Sequence, residues 1–147
     1  IMSKSNTFEN DILQLIFNNV DIADIGDAGG LQNSATAGSL YVALHTADPG
    51  EAGTATTSES AYGSYARQAV ARSAGGWTVS GNSATNTALI QFPECTGGSE
   101  TITHVSITTA SSGTSKILYS GALSASRSVS SGIQPQFAAN ALTVTED

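Results

Sequence analysis

The sequence predicts a mainly-β fold, an antiparallel β-sandwich or jelly-roll-like domain that carries one N-terminal α-helix. Three observations predict it. Only one segment, Asn6 to Val20, repeats its apolar residues at helical spacing. Leu40–Leu44 is an apolar run too short for a helix and right for a buried strand. From Tyr65 onward, short runs suited to strands alternate with Gly- and Ser-rich turns. At 147 residues the chain suits one domain, 1–147, with a helix at 6–20 and a β-rich body at 39–147.

The helix comes first. Phe8, Ile12, Leu15 and Ile16 fall on one face, and Leu13, Phe17 and Val20 widen the stripe. Asn6 is placed to cap the first turn, with Glu9 three residues later to return the bond. Asp11 adds negative charge near the positive end of the helix dipole. So wide an apolar stripe needs cover, and a neighbouring subunit is one candidate for it. Asp21–Gly30, rich in Asp and Gly, stops the helix, and residues 32–38 read as a polar loop. Leu40–Leu44 follows as a strand buried on both faces. Ala47-Asp48-Pro49-Gly50 ends it in a turn whose proline fixes φ. Glu51–Ser60 has no large apolar residue and reads as an exposed loop, of a length that is usually functional or disordered.

The remaining strands are expected at Tyr65–Arg72, Trp77–Ser80, Thr87–Phe92, Thr101–Thr108, Lys116–Ser120, Ser126–Ser130 and Ala141–Thr145. Gly75-Gly76, Gly81-Asn82, Gly97-Gly98, Ser112-Gly113 and Ser131-Gly132 separate them. Along Thr101–Thr109, Ile102, His104, Ser106 and Thr108 share one face, and Thr103, Val105, Ile107 and Thr109 the other. Neither face is wholly apolar, which suits an edge or contact-forming strand.

Composition narrows the function. Ala, Gly, Ser and Thr make up half the chain, and charged residues are 12%, about half the usual share. Twelve acids against five bases give a net charge of −7, which argues against nucleic-acid phosphates and against an anionic membrane surface. No apolar stretch approaches the ~18 residues of a membrane span. Cys95 is the single cysteine, so no internal disulfide forms, and with no basic neighbour it reads as an inert thiol. Met2 is the expected natural start, with Ile1 before it a remnant.

No constellation asks for catalysis. His45 and Asp48 flank a strand end, but no G-x-S-x-G elbow supplies a serine nucleophile, and turn chemistry explains both residues. Asp21, Asp24 and Asp27 recur every third residue and suggest calcium, yet the spacing is not that of an EF-hand loop. An acidic, solubilising loop is the plainer reading. His45 and His104 lack cysteine partners for a shared metal. Arg67 and Arg72 read as exposed strand arginines, and Trp77 as core. The expectation is a protein that is not an enzyme and takes no metal or cofactor.

Leu40-Tyr-Val-Ala-Leu-His-Thr-Ala-Asp-Pro-Gly-Glu-Ala-Gly53, with Tyr62-Gly-Ser-Tyr-Ala-Arg-Gln-Ala-Val-Ala-Arg72 and Gly76-Trp-Thr-Val79, resembles a family of small tailed-bacteriophage virion proteins. Its members are commonly labelled tail fibre protein or phage structural protein. Ser5-Asn-Thr-Phe-Glu-Asn10, Ile117-Leu-Tyr-Ser-Gly-Ala-Leu123 and Thr143-Val-Thr-Glu-Asp147 resemble it too, so nearly the whole chain is covered. The resemblance implies a virion component, made in the host bacterial cytoplasm. A long fibre asks for extended repeats or heptads, and this sequence has neither. The first expectation is therefore a capsid decoration (cement) subunit, bound in many copies outside the head. The alternative is a tail, collar or fibre-associated subunit that contacts the host surface. A hydrolase working through His45 and Asp48 stands a distant third. Expected partners are the major capsid protein or other virion proteins and further copies of the chain, with no nucleic acid and no membrane. The expected subunit contacts are Phe8, Ile12, Leu15 and Ile16 on the helix, Glu51 in the loop, and Thr103, Val105 and Ile107 on the strand.

Overall fold

A computed structural model describes residues 1–147. It is mainly β, 36% strand and 9% helix, with antiparallel sheets and a single N-terminal helix, the class the sequence predicts. The helix α1 is Asn6–Asn18. The strands are β1 Ser39–His45, β2 Gln68–Ala71, β3 Trp77–Ser80, β4 Ser83–Asn86, β5 Ile90–Gln91, β6 Ser99–Thr108, β7 Ile117–Ser130, β8 Gln136–Phe137 and β9 Thr143–Thr145. They form a four-stranded sheet in the order β2-β1-β6-β7, a three-stranded sheet β3-β4-β9 and a two-stranded β5-β8 pair. The chain divides into two compact units, one of residues 1–39, 70–89 and 137–147, the other of 40–69 and 90–136.

The first unit is the helix packed on the three-stranded sheet. Ser5, not Asn6, caps α1, its Oγ accepting from the Phe8 amide at 3.3 Å. One position of shift takes Glu9 out of capping-box register, and it is buried instead. Asn19 closes the helix in the left-handed region at φ 57°. No basic residue stands in the last turn. Arg72 takes that role from a distance, donating to the Leu15 and Ile16 carbonyls at 2.6 and 2.7 Å. It is half-buried rather than an exposed strand arginine.

Leu13 and Phe17, a helical turn apart, are fully buried, as are Trp77 and Ala84, and Leu142 and Val144 are buried too. The Phe17 and Trp77 rings meet edge-on at 4.8 Å. The Gly81-Asn82 punctuation turns out to be a hairpin turn, since Trp77↔Asn86 through Ser80↔Ser83 pair across it. Buried Asn86 then donates to the Ala88 and Ala138 carbonyls, both at 2.8 Å, and accepts from the Leu142 amide at 2.9 Å. That amide pins the C-terminal segment where β9 joins β4.

In the second unit, β1 is buried on both faces, as its apolar run predicts: Val42 and Leu44 on one, Ala43 and His45 on the other. β6 lies between β1 and β7, so the edge placement read from its alternation is corrected. Ile102, Val105, Ser106, Ile107 and Thr108 are all buried. Its polar members face inward because the chain itself satisfies them: Ser106 bonds His45, and Thr108 Oγ1 donates to the Ala110 carbonyl at 3.3 Å.

Residues 46–60 do not form an open loop. The segment folds back on the sheet, with Thr46 N donating to Ser58 O and Ser60 N to Leu44 O, both at 2.8 Å. Ala55 is fully buried. Gly53 makes the turn possible, since a Cβ there would sit 2.0 Å from the Pro49 carbonyl oxygen. Only parts of the segment, among them Glu51 and Ala52, remain exposed.

The two strands expected at 116–120 and 126–130 are one, β7. Ile102↔Arg127 is followed by His104↔Ala122, so Leu123–Ser126 bulges opposite the single residue Thr103.

Candidate functional site

The feature nearest to a catalytic pair is His45 with Ser106. β1 and β6 place them on adjacent rows of one face, and His45 Nε2 lies 2.7 Å from Ser106 Oγ. The ring's Nδ1 lies 2.9 Å from the Thr57 carbonyl oxygen. A carbonyl only accepts, so Nδ1 carries the proton, donates to Thr57, and leaves Nε2 to accept from the serine hydroxyl. His45 is 0% exposed and Ser106 1%. Burial holds the imidazole below its ordinary value of 6.5, against the Thr57 hydrogen bond and the Glu59 charge, which act the other way. With its orienting partner a backbone carbonyl and both side chains shut away from solvent, the pair fastens residue 57 to the sheet. Asp48 is not part of it. Its carboxylate accepts from the Gly50 amide at 2.9 Å, as a turn residue does.

A denser polar centre surrounds Arg67. Its Nε donates to Glu59 Oε1 at 2.6 Å and its Nη2 to Oε2 at 2.9 Å. Nη1 reaches the Ala110 carbonyl at 2.9 Å and Ser115 Oγ at 3.2 Å, and Nη2 also reaches the Gly113 carbonyl at 2.8 Å. Tyr65 OH donates to Glu59 at 3.1 Å and accepts from the Leu44 amide at 3.0 Å. The hydrogen bond to Glu59 raises the Arg67 pKa further, and burial raises that of Tyr65. The donors of the centre are spent on the chain's own carbonyls, the Glu59 carboxylate and the Ser115 hydroxyl, so it ties residues 59, 65–67 and 110–115 into one piece. Glu100 does the same nearby, accepting from the Ala61 amide at 3.2 Å, the Tyr62 amide at 3.3 Å and the Ser60 hydroxyl. Tyr62, whose hydroxyl donates to the Pro93 carbonyl at 2.8 Å, is pushed up to about 12 by burial.

Sequence reasoning missed this centre. Glu59 stands at a loop end and Glu100 at the start of a strand, and nothing local marks either as a partner. The one signal was Arg67 alternating with Tyr65 in a chain with few charges.

The other candidates separate. Asp21 accepts from the Asn33 amide at 2.6 Å, and Asp27 from the Gly29 and Gly30 amides at 2.8 and 3.2 Å. Asp24 has a positive φ of 63°. No group of three metal-ligating side chains forms there or elsewhere. His45 and His104 do meet as a cross-strand pair, with His104 Nδ1 at 2.8 Å from Thr103 Oγ1. Cys95 is buried and points its Sγ at the Gly97 carbonyl, 3.2 Å away. No helix is long and apolar enough to cross a membrane.

Of the expected contact residues, Val105 and Ile107 are buried inside the chain and Thr103 is half-buried. The helix is different. It turns Leu13 and Phe17 inward and leaves a second apolar row, Phe8, Ile12, Leu15 and Ile16, beside them. Phe8 is 37% exposed and the other three are half-buried. Glu51 is exposed in its turn.

Among known proteins, the family model described as podophage GP4 fiber I protein gp80 matches residues 3–145. No curated protein matches the chain. The match runs through both compact units and every strand, so the chain belongs to the podophage GP4 fiber I protein gp80 family and is a phage fibre-type virion structural protein.

Proposed function

We propose that the chain is a fibre or fibre-associated subunit of the phage virion, which works by binding its neighbours and not by catalysis. The family match over residues 3–145 carries this reading. The polar chemistry supports it: the buried His45–Ser106 pair and the Arg67 centre are both consumed in holding loops to the sheet. The helix row Phe8, Ile12, Leu15 and Ile16, with Glu51 apart from it, offers the contact surface to other virion proteins.

A head-decoration role is the second reading. The observation in its favour is the absence from the sequence of the heptads or internal repeats that an extended fibre uses. Gold-labelled antibody against the chain, applied to intact virions under the electron microscope, separates the two. Labels confined to the tail region support the fibre reading. Labels spread evenly over the head overturn it in favour of decoration.

A further inference from the structure

Negative charge and exposed apolar surface gather in the same unit. The first unit carries seven acids and two bases, a net −5 of the chain's −7, against five acids and three bases in the second. Beyond the first two residues, the exposed large apolar side chains divide the same way. Phe8, Val20, Ile25, Leu31 and Leu89 belong to the first unit, and only Ile133 to the second. Four of those five fall within residues 8–31, a stretch that contains no lysine or arginine. It is also built as one piece. Asn19, at the end of α1, donates to the Ser34 carbonyl at 2.8 Å and accepts from the Ser34 amide at 2.9 Å. Between those anchors Ile22 and Leu31 pair through both amides, at 3.0 and 2.8 Å, and close the loop that carries Asp24, Ile25 and Asp27. The helix row therefore runs on into a fixed loop.

Charge points to the occupant. Both bases of the unit are already engaged. Lys4 pairs with Glu146 at 3.1 Å, and Arg72 donates to the carbonyls of Leu15, Ile16 and Ala37 and to the Ser34 hydroxyl. Neither is paired with Asp21, Asp24 or Asp27. Asp21 and Asp27 accept from backbone amides, which are neutral and leave the charge standing. Apolar side chains in the open favour any cover, but the carboxylates among them select its sign. A second copy would bring its own −5 to the contact. A nucleic acid or an anionic membrane surface is repelled for the same reason. A basic protein segment with apolar side chains meets both demands.

We propose that residues 8–31 dock a basic, apolar segment of another virion protein. Its apolar side chains cover Phe8, Val20, Ile25 and Leu31, and its lysines or arginines face Asp21, Asp24 and Asp27. The proposal rests on the reading of the chain as a virion subunit that works by binding, and adds the chemistry of the neighbour. The test treats intact virions and the free chain with a carbodiimide and glycine ethyl ester, followed by peptide mass spectrometry. An activated carboxylate forms an amide with a lysine held against it, and the added amine labels carboxylates that stay accessible. The expected result is cross-links from Asp21, Asp24 or Asp27 to lysines of a different virion protein. Labelling of the three should also fall by a factor of ~3 or more on going from free chain to virion. Equal labelling in both overturns the proposal, as do cross-links to Lys4 or Lys116 of a second copy. Protection without a cross-link is what an arginine partner gives, and Asp21→Asn/Asp24→Asn then decides. Asparagine keeps the acceptor that the Asn33 amide uses and tolerates the φ of 63° at residue 24. Copies per virion that fall about tenfold support bases at these positions, and normal incorporation overturns them. The cross-linked protein's identity bears on the other reading separately: a head protein would overturn the fibre assignment and leave this surface standing.

Discussion

Arg67 and Glu59 face each other in a two-pronged ion pair, Nε to Oε1 at 2.6 Å and Nη2 to Oε2 at 2.9 Å, with the arginine side chain 2% exposed and the glutamate 15%. The fork geometry matters more than the charges alone. A guanidinium presents parallel donors that match both carboxylate oxygens, and its remaining N–H groups are taken by the carbonyls of Ala110 and Gly113 and by Ser115. Such a pair costs desolvation when it forms and leaves a buried charge when one partner is lost.

Arg67→Ala is therefore expected to destabilise the fold by about 3–5 kcal/mol, because half-buried Glu59 loses its counter-charge and the Ala110 and Gly113 carbonyls lose their donor. Arg67→Lys should recover only a minor part, since an ammonium cannot reproduce the fork. Urea midpoints of the three proteins check this. A loss under ~0.5 kcal/mol for the alanine variant would make the centre a surface ornament.

Stability should fall on acidification through His45. Burial lowers its folded pKa, so below the ordinary 6.5 the unfolded chain takes up a proton that the folded one refuses. The contribution is absent above 6.5 and grows as pH drops toward the folded value, at a slope of at most about 1.4 kcal/mol per pH unit. His45→Gln removes this one titration, so the difference between the two proteins' stability curves isolates it. Parallel curves between neutrality and pH 5 would contradict the assignment.

Phe17→Ala should cost about 3–5 kcal/mol, since it opens a cavity against Trp77 where the helix packs on the sheet of its unit. Thermal unfolding reads the effect. Removing residues 2–20 outright would be a poor test of binding, because it also strips Leu13 and Phe17 from the core.

Phe8→Ser with Ile12→Ser probes the outward row of the same helix instead. Phe8 is 37% exposed and makes no core contact of the Leu13 kind, so its substitution should change stability by roughly 0.5 kcal/mol or less, with Ile12 adding somewhat more. Incorporation into virions, scored by western blot of purified particles from a complementation cross, should fall sharply. Normal incorporation would leave the row without a role in assembly.

What the sequence made legible was periodic. Leu13, Phe17 and their neighbours repeat at helical spacing, and Leu40–Leu44 is apolar without interruption, so α1 and β1 stand where they were expected. β4 was missed because Ser83-Ala-Thr-Asn86 has no apolar alternation; it is a strand through its pairing with β3 and β9. β7 was split in two because its bulge of Leu, Ser and Ala gives no signal of strand continuity. β6 was misplaced at an edge for a related reason. Ser106 and Thr108 look solvent-facing until His45 and the Ala110 carbonyl are brought over them, and those partners are non-local in the first case and a loop conformation in the second. The Arg67 centre was hidden in the same way. Its donors reach residues up to 48 positions away, a distance over which sequence pattern carries no pairing information.

The central claim, a fibre-type role in the virion, is tested most directly by the copy number of this chain in purified particles. Quantitative mass spectrometry against the major capsid protein gives it. The account predicts a count at least an order of magnitude below that of the capsid subunit, as befits a tail-region structure. A count comparable to the capsid subunit would contradict it and establish a lattice spread over the head.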